Sequence, residues 1–250
     1  MDVTPKLRLY VDLPLAEGQV VALGTEQSHY LLHVMRAQLG AQVALFNGQD
    51  GEWRAILSEA GKRTVRLAVG GRLRHQADEP DLWLLFAPVK RARIDLIVEK
   101  ATELGVSALL PVFTRHTAMT RVNEERLRAV AIEASEQCER LTVPDIRPAR
   151  PLDAVLADWP AERRLLLLDE SGAGQPIVAA LSGGVTSPAA VLVGPEGGFA
   201  KSELDALGRL AFATPVGLGP RILRADTAVI AALACFQAVC GDWRAPPLRN

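Results

Sequence analysis

Two apolar runs, each ending in a glycine-bearing loop, limit what this chain can fold into more than any other feature. The first, Ala189–Val193, is apolar at every position and passes straight into Gly194-Pro195-Glu196-Gly197-Gly198-Phe199. The second, Pro215–Leu218, reaches Gly219, and Arg224-Ala225-Asp226-Thr227 then opens a long apolar helix. A strand without polar alternation is buried on both faces, the habit of parallel sheets. Glycine and proline at its end supply backbone for close ligand approach rather than side chains for packing. Two such junctions so near in sequence predict neighbouring strand ends at the carboxyl edge of one open α/β sheet, where such folds bind ligands.

The surrounding sequence keeps the same rhythm. Strand-like runs at Leu82–Ala87, Ala108–Phe113 and Arg164–Leu168 alternate with helical patterns at Arg91–Leu104, Glu124–Glu139, Leu152–Ala157, Ser202–Leu210 and Asp226–Cys240. That alternation predicts an α/β domain over residues 81–250 with a largely parallel sheet. Asn123 is placed to cap the start of one helix and Gly105 to end another. Residues 1–74 read differently, as short strands at Arg8–Leu13, Gln19–Leu23, Gln42–Phe46, Glu52–Leu57 and Thr64–Val69. Turns at Asn47-Gly48 and Gly61-Lys62 punctuate them, and one helix, Glu26–Met35 with Thr25 as N-cap, interrupts them. This is the pattern of a small β-barrel, and the polar segment 75–80, His75 to Pro80, is its linker to the α/β domain.

With 250 residues, 49% of them hydrophobic, the chain is long enough for one large or two modest domains. A formal charge of -1 argues against coating nucleic acid by bulk electrostatics. A local basic patch is still available, because Arg8, Arg36, Arg54, Lys62, Arg63, Arg66, Arg72, Arg74 and the segment Lys90-Arg91-Ala92-Arg93 bias the first part of the chain. Cys138, Cys235 and Cys240 form an odd set without CxxC spacing, so neither a disulfide framework nor a zinc site is expected, and a reducing cytoplasm fits. The N-terminus lacks the layout of a signal peptide. Ala225–Val239 is too short and too rich in alanine to span a bilayer and reads as a helix buried against a core or a subunit partner.

The residues at the two junctions resemble the SPOUT methyltransferases, specifically the RsmE family. That family carries GPEGG, matched by Gly194–Gly198, and then LG-x-RILR-x-ETA, matched by Leu218, Gly219, Arg221–Arg224, Thr227 and Ala228, with Asp226 where the family usually has Glu. The likeness extends to Lys100–Val106, Pro111 and Glu133–Arg140, and to His29–Arg36, Phe46 and Gly48 near the N-terminus, with Tyr30 replacing a frequent second His. It covers nearly the whole chain. It implies a SPOUT domain with a C-terminal trefoil knot, preceded by a PUA-like barrel of the kind that docks structured RNA. It also implies a cytoplasmic homodimer that uses S-adenosylmethionine to methylate N3 of a uridine, U1498, in 16S ribosomal RNA of the small subunit.

On that reading the cofactor is held by Leu168, Val193, Gly194, Pro195, Glu196, Gly197, Gly198, Leu218, Gly219, Ile222, Leu223 and Arg224. Uracil N3 is a weak acid, so its methylation calls for proton removal and for stabilisation of charge on the uracil oxygens. Glu133, Glu136 and Asp226 are candidate bases, and Arg224 or Arg140 candidate stabilisers. The spacing of Glu133, Glu136 and Arg140 also fits an ordinary solvated helix face. Arg8, His29, Arg36, Lys90, Arg91, Arg93 and Arg115 are candidate RNA contacts. His29 and His33 stand at i, i+4, but no third ligand is in view and no metal is expected. The rival readings are weaker. Gly172-Ala173-Gly174 follows a strand as a dinucleotide fingerprint would, yet Ile177 occupies the third glycine position, and no GxxxxGK[ST] occurs. A non-catalytic RNA-binding assembly factor is the other alternative.

Overall fold

The computed structural model describes residues 5–61, 64–182 and 188–245. Lys62, Arg63 and the side chain of Arg91 lie outside the described set. The chain forms two compact units. One holds residues up to Asp78 together with Ser135–Val143, and the other holds Glu79–Ala134 together with the chain from Pro144 onward.

In the first unit β1 (Arg8–Tyr10), β2 (Val20–Ala22), β3 (Gln42–Phe46), β4 (Glu52–Ala60) and β5 (Val65–Arg74) pair in the order β1-β3-β4-β5-β2. The β1–β3 pair is parallel and the others are antiparallel. Alternate residues Val43, Leu45, Ala55, Leu57, Val65 and Leu67 turn one face into a core. Register shifts at three places between β4 and β5 bend the long hairpin around it. Among the described residues β1 and β2 do not pair with each other, so the expected barrel is open on that side.

The expected helix Glu26–Met35 is also corrected. α1 covers only Thr25–His29 and continues as a π-helical turn, Tyr30–Val34. Thr25 is its first residue rather than its cap. Ser28 does the anchoring: its hydroxyl donates to the Leu23 carbonyl at 3.3 Å and accepts from Val65 N at 3.0 Å.

The last turn of α3 (Glu124–Cys138) and the residues after it are clamped by two arginines of this unit. Arg8, 7% exposed, donates to the Glu52 carboxylate at 2.6 Å and to the carbonyls of Ser135, Glu136 and Arg140 at 2.8 to 3.0 Å. Arg74 binds the same carboxylate at 2.7 Å and the Glu139 carbonyl at 2.8 Å. Carbonyls at a helix end have no partner within the helix and attract cations. The reading of Arg8 as a phosphate contact is therefore overturned, because its guanidinium is buried and makes four hydrogen bonds inside the protein.

The second unit holds β6 (Leu82–Phe86), β7 (Ala108–Phe113), β8 (Asp145–Ile146), β9 (Arg150–Pro151), β10 (Arg164–Leu168), β11 (Gln175–Pro176), β12 (Ala189–Val193) and β13 (Ala213–Gly217). All pair in parallel in the order β11-β13-β10-β12-β6-β7-β8, with β9 beside β7. Leu85, Leu110, Leu165, Leu167, Ala190 and Leu192 bury one sheet face with Leu152 and Val155 of α4 (Leu152–Ala157) and Leu207 of α6 (Lys201–Leu207). The alternate residues Leu84, Leu109, Leu166 and Val191 are equally buried, which is why these strands read as continuous apolar runs. α7 (Ala225–Val239) packs on β12, α2 (Arg91–Glu103) and α5 (Ile177–Ser182).

Both expected caps are present. Asn123 Oδ1 accepts from Arg126 N at 3.0 Å, and after α2 the Gly105 and Val106 amides donate back to Thr102 and Ala101. At the sheet's start, burial pushes the Asp81 carboxyl up, but the hydrogen bonds and charge of Arg163, helped by Ser107 and Trp83, hold it below its usual value.

Candidate active site

β10 lies between β12 and β13, so the carboxyl ends of the three strands stand side by side. The loops that leave them enclose a cavity of about 520 Å³, within the range of small-molecule sites. The expected residues Leu168, Val193, Gly194, Pro195, Glu196 and Gly198 line it from one side, and Leu218, Gly219, Ile222, Leu223 and Arg224 from the other. Gly197 does not. A side chain there would meet His116 Cβ at 3.4 Å on the loop's outer face.

Other lining residues escaped sequence reasoning. Val216 extends the apolar wall beside Phe199 of the expected first loop, and Ala225 and Ala228 bring in the first turns of α7. Gly172, Gly174 and Pro176, met above as a competing glycine motif, form a third wall of the same cavity because β11 pairs with β13. The signal for that wall was present as glycine after a strand, but the pairing that brings it to the cavity is long-range.

The loop conformations require their glycines at two points. Gly198 has φ +66°, and a Cβ on it would lie 2.3 Å from Glu170 Oε1. Gly219 has φ +98°, a backbone state that side-chain-bearing residues rarely adopt. Carboxylates and guanidinium groups ring the cavity. Glu196 pairs with Arg93 at 4.0 Å, Asp169 is held by the Ser171 amide and hydroxyl at 2.8 Å each, and Arg221 and Arg224 are exposed. Arg224 is the N-cap residue of α7, its carbonyl accepting from Ala228 N at 2.8 Å. Ile222 is 83% exposed although it lines the cavity, so one wall is bare.

Of the candidate bases, none lines the cavity. Asp226 accepts from the Thr227 amide at 2.8 Å in the first turn of α7. Glu133 is an exposed residue of α3, and Glu136 accepts from Tyr10 N at 2.9 Å. Arg140 is buried, with its guanidinium on Thr142 Oγ1 at 2.9 and 3.2 Å. Arg224 alone of the predicted catalytic groups faces the cavity.

His29, Arg36, Lys90 and Arg115 are exposed. The rings of His29, at the end of α1, and His33, on the π-helical turn, lie 4.7 Å apart, and Arg36, at φ +52°, lies beyond the turn. Among the described residues no group of three His, Cys, Asp or Glu side chains is placed to hold a metal. Nor, among them, is any helix long and apolar enough to cross a membrane.

Comparison with known proteins sets this geometry in context. Residues 77–237 match the RNA methyltransferase domain family, and residues 23–69 match the RNA methyltransferase PUA domain family. The chain is 33% identical to a ribosomal RNA small subunit methyltransferase E of Rickettsia conorii, over 91% of this chain and 93% of the relative. It is 31% identical to the corresponding Synechocystis protein, over 88% and 73%. A crystal structure of a ribosomal RNA small subunit methyltransferase E from Neisseria gonorrhoeae, bound to S-adenosyl methionine, superposes with a TM-score of 0.84. The two are 27% identical, and the match covers 95% of this chain and 99% of that one. With its two domain matches in order and relatives aligned along nearly all of it, the chain belongs to the ribosomal RNA small subunit methyltransferase E family of RNA methyltransferases.

Proposed function

We propose that the protein is an S-adenosylmethionine-dependent methyltransferase acting on N3 of one uridine, U1498, of 16S ribosomal RNA in the small ribosomal subunit. The observation that carries this reading is the cavity at the ends of β10, β12 and β13, walled by the two family-type glycine loops. Its residues suit S-adenosylmethionine. Val193, Phe199, Leu218 and Leu223 are apolar walls, the loop backbones offer N–H and C=O groups, and Glu196 and Glu170 are anions compatible with sulfonium and ammonium charge. When bound, the cofactor supplies an electrophilic methyl group.

The chain's own task is to hold the uracil so that N3 faces that methyl, and positioning of this kind can account for up to ~7–11 kcal/mol of a barrier. Arg224, exposed at the cavity, is assigned to the uracil oxygens, where its charge stabilises the anion left as the N3 proton departs to solvent. Glu133 and Asp226 are not needed in this scheme.

Several finer features belong to the same proposal. The α/β domain, residues 81–250, is a SPOUT domain. β13 enters the sheet between β10 and β11, which precede it and are close to each other in sequence, an order that a C-terminal trefoil knot accounts for. Residues 1–74 dock RNA through the exposed His29 and Arg36, with Lys90, Arg91 and Arg115 contacting phosphates, and 75–80 joins the two parts. The enzyme works in the cytoplasm as a homodimer in which the partner covers the bare wall around Ile222. Calorimetry and light scattering test this together. One S-adenosylmethionine per chain, no binding of NAD and a mass near twice 26.9 kDa are expected. NAD binding, or a fully active monomer, would contradict it.

A further inference from the structure

The outer face of the first glycine loop is held by a turn that neither the sequence motifs nor the proposed chemistry uses. After β7, Thr114 N donates to Thr117 Oγ1 at 2.9 Å and Thr117 N to the Thr114 carbonyl at 3.2 Å. This tight turn carries His116 at its corner. His116 Nδ1 lies 3.2 Å from the Gly197 carbonyl oxygen and 3.1 Å from that of Gly198. Both oxygens are acceptors only, so Nδ1 carries the hydrogen and shares it between them. The imidazole packs against this backbone at contact distance, His116 Cβ and Cγ standing 3.4 and 3.8 Å from where a Cβ on Gly197 would be.

A second tie lies one residue away. Glu203 accepts from Arg115 N at 2.9 Å through one oxygen and from Ala200 N at 2.8 Å through the other, so a single carboxylate joins the turn to the start of α6. The loop is thus fixed on its outer face while Gly194, Pro195, Glu196, Gly198 and Phe199 line the cavity on its inner face.

We propose that His116 is a positioning residue for the cofactor loop: its Nδ1–H holds the Gly197 and Gly198 carbonyls away from the cavity and so keeps the inner face in ligand-accepting form. A loop held before binding loses less freedom on binding, which raises affinity without touching the reacting atoms. The role rests on the proposed function only for the identity of the ligand.

The test compares His116→Leu, which keeps bulk and removes the donor, with His116→Asn, whose amide nitrogen stands where Nδ1 does. His116 is exposed, so neither change disturbs the core. In ligand-free protein, hydrogen exchange at the amides of residues 198–203 is expected to quicken about fivefold to tenfold in the Leu variant and stay near wild type in the Asn variant, the loss of one shared hydrogen bond. The KM for S-adenosylmethionine should rise by a similar factor in the Leu variant only, with kcat at saturation nearly unchanged. Unchanged exchange in the Leu variant, or equal loss in both variants, overturns the proposal. If wild-type protein binds no S-adenosylmethionine, the functional reading falls, and the exchange comparison still decides whether His116 holds the loop.

Discussion

Gly219→Val is expected to abolish measurable S-adenosylmethionine binding, raising Kd by about a hundredfold or more, roughly 2.7 kcal/mol. Gly219 sits at φ +98° with nothing within 4 Å of a would-be Cβ, so the substitution causes no collision with the rest of the protein. The damage is to the backbone itself. A β-branched residue in such a conformation costs about 1–3 kcal/mol and escapes it by rotating the loop. That rotation carries Leu218, Ile222 and Leu223 out of the wall and re-aims the backbone groups between them. The melting temperature should change little, because Gly219 is exposed. Gly197→Val is the instructive control: Gly197 faces His116 rather than the cavity, and its effect should stay within about tenfold, the scale of one perturbed hydrogen bond. Calorimetric titration of both variants checks the pair. Equal losses, or a silent Gly219 variant, would remove the second loop from the site.

A comparably large effect, this time on stability, is expected from Glu52→Ala. Glu52 is 2% exposed and its carboxylate is shared by Arg8 and Arg74, whose remaining bonds go to the carbonyls at the end of α3. Removing the carboxylate leaves two guanidinium groups with a charge uncompensated inside the protein, and breaking one side of such a buried group costs about 3–5 kcal/mol. Chemical denaturation followed by tryptophan fluorescence is suited to the measurement, because Trp53 pairs with Arg72 in the same hairpin. A loss below about 1 kcal/mol would mean that water already reaches the pair, as at an exposed ion pair.

Arg8 also shows where sequence reasoning ends. In sequence it is one basic residue among many near the N-terminus, and its carbonyl partners lie 127 to 132 positions away. No local pattern separates a surface arginine from one that caps a distant helix. The strands of the α/β unit were legible for the opposite reason. Burial on both faces leaves Ala189–Val193 and Leu82–Phe86 apolar at every position, with only Trp83 among them half-buried. The hairpin β4–β5 was read too short because its far parts, Ser58–Ala60 and Gly70–Arg74, are exposed or half-buried and carry no apolar alternation.

Most of the cavity was legible because glycine loops after buried strands have few other uses. Its third wall was not, since only the insertion of β13 between β10 and β11 brings Gly172, Gly174 and Pro176 to it. The candidate bases were not legible, because an acidic residue beside a family-type segment shows available chemistry but not what its side chain meets, and the spacing of Glu133, Glu136 and Arg140 fits an ordinary helix face as well.

The central claim is the transfer of one methyl group to uridine N3. Small-subunit RNA from cells lacking the protein, incubated with purified enzyme and isotopically labelled S-adenosylmethionine, is digested to nucleosides and read by mass spectrometry. The account predicts about one labelled methyl per RNA molecule, as expected of an enzyme that positions a single nucleotide, recovered as N3-methyluridine. RNA from wild-type cells should take up almost none. Label in a ribose methyl or in guanosine, or no label at all, would contradict it.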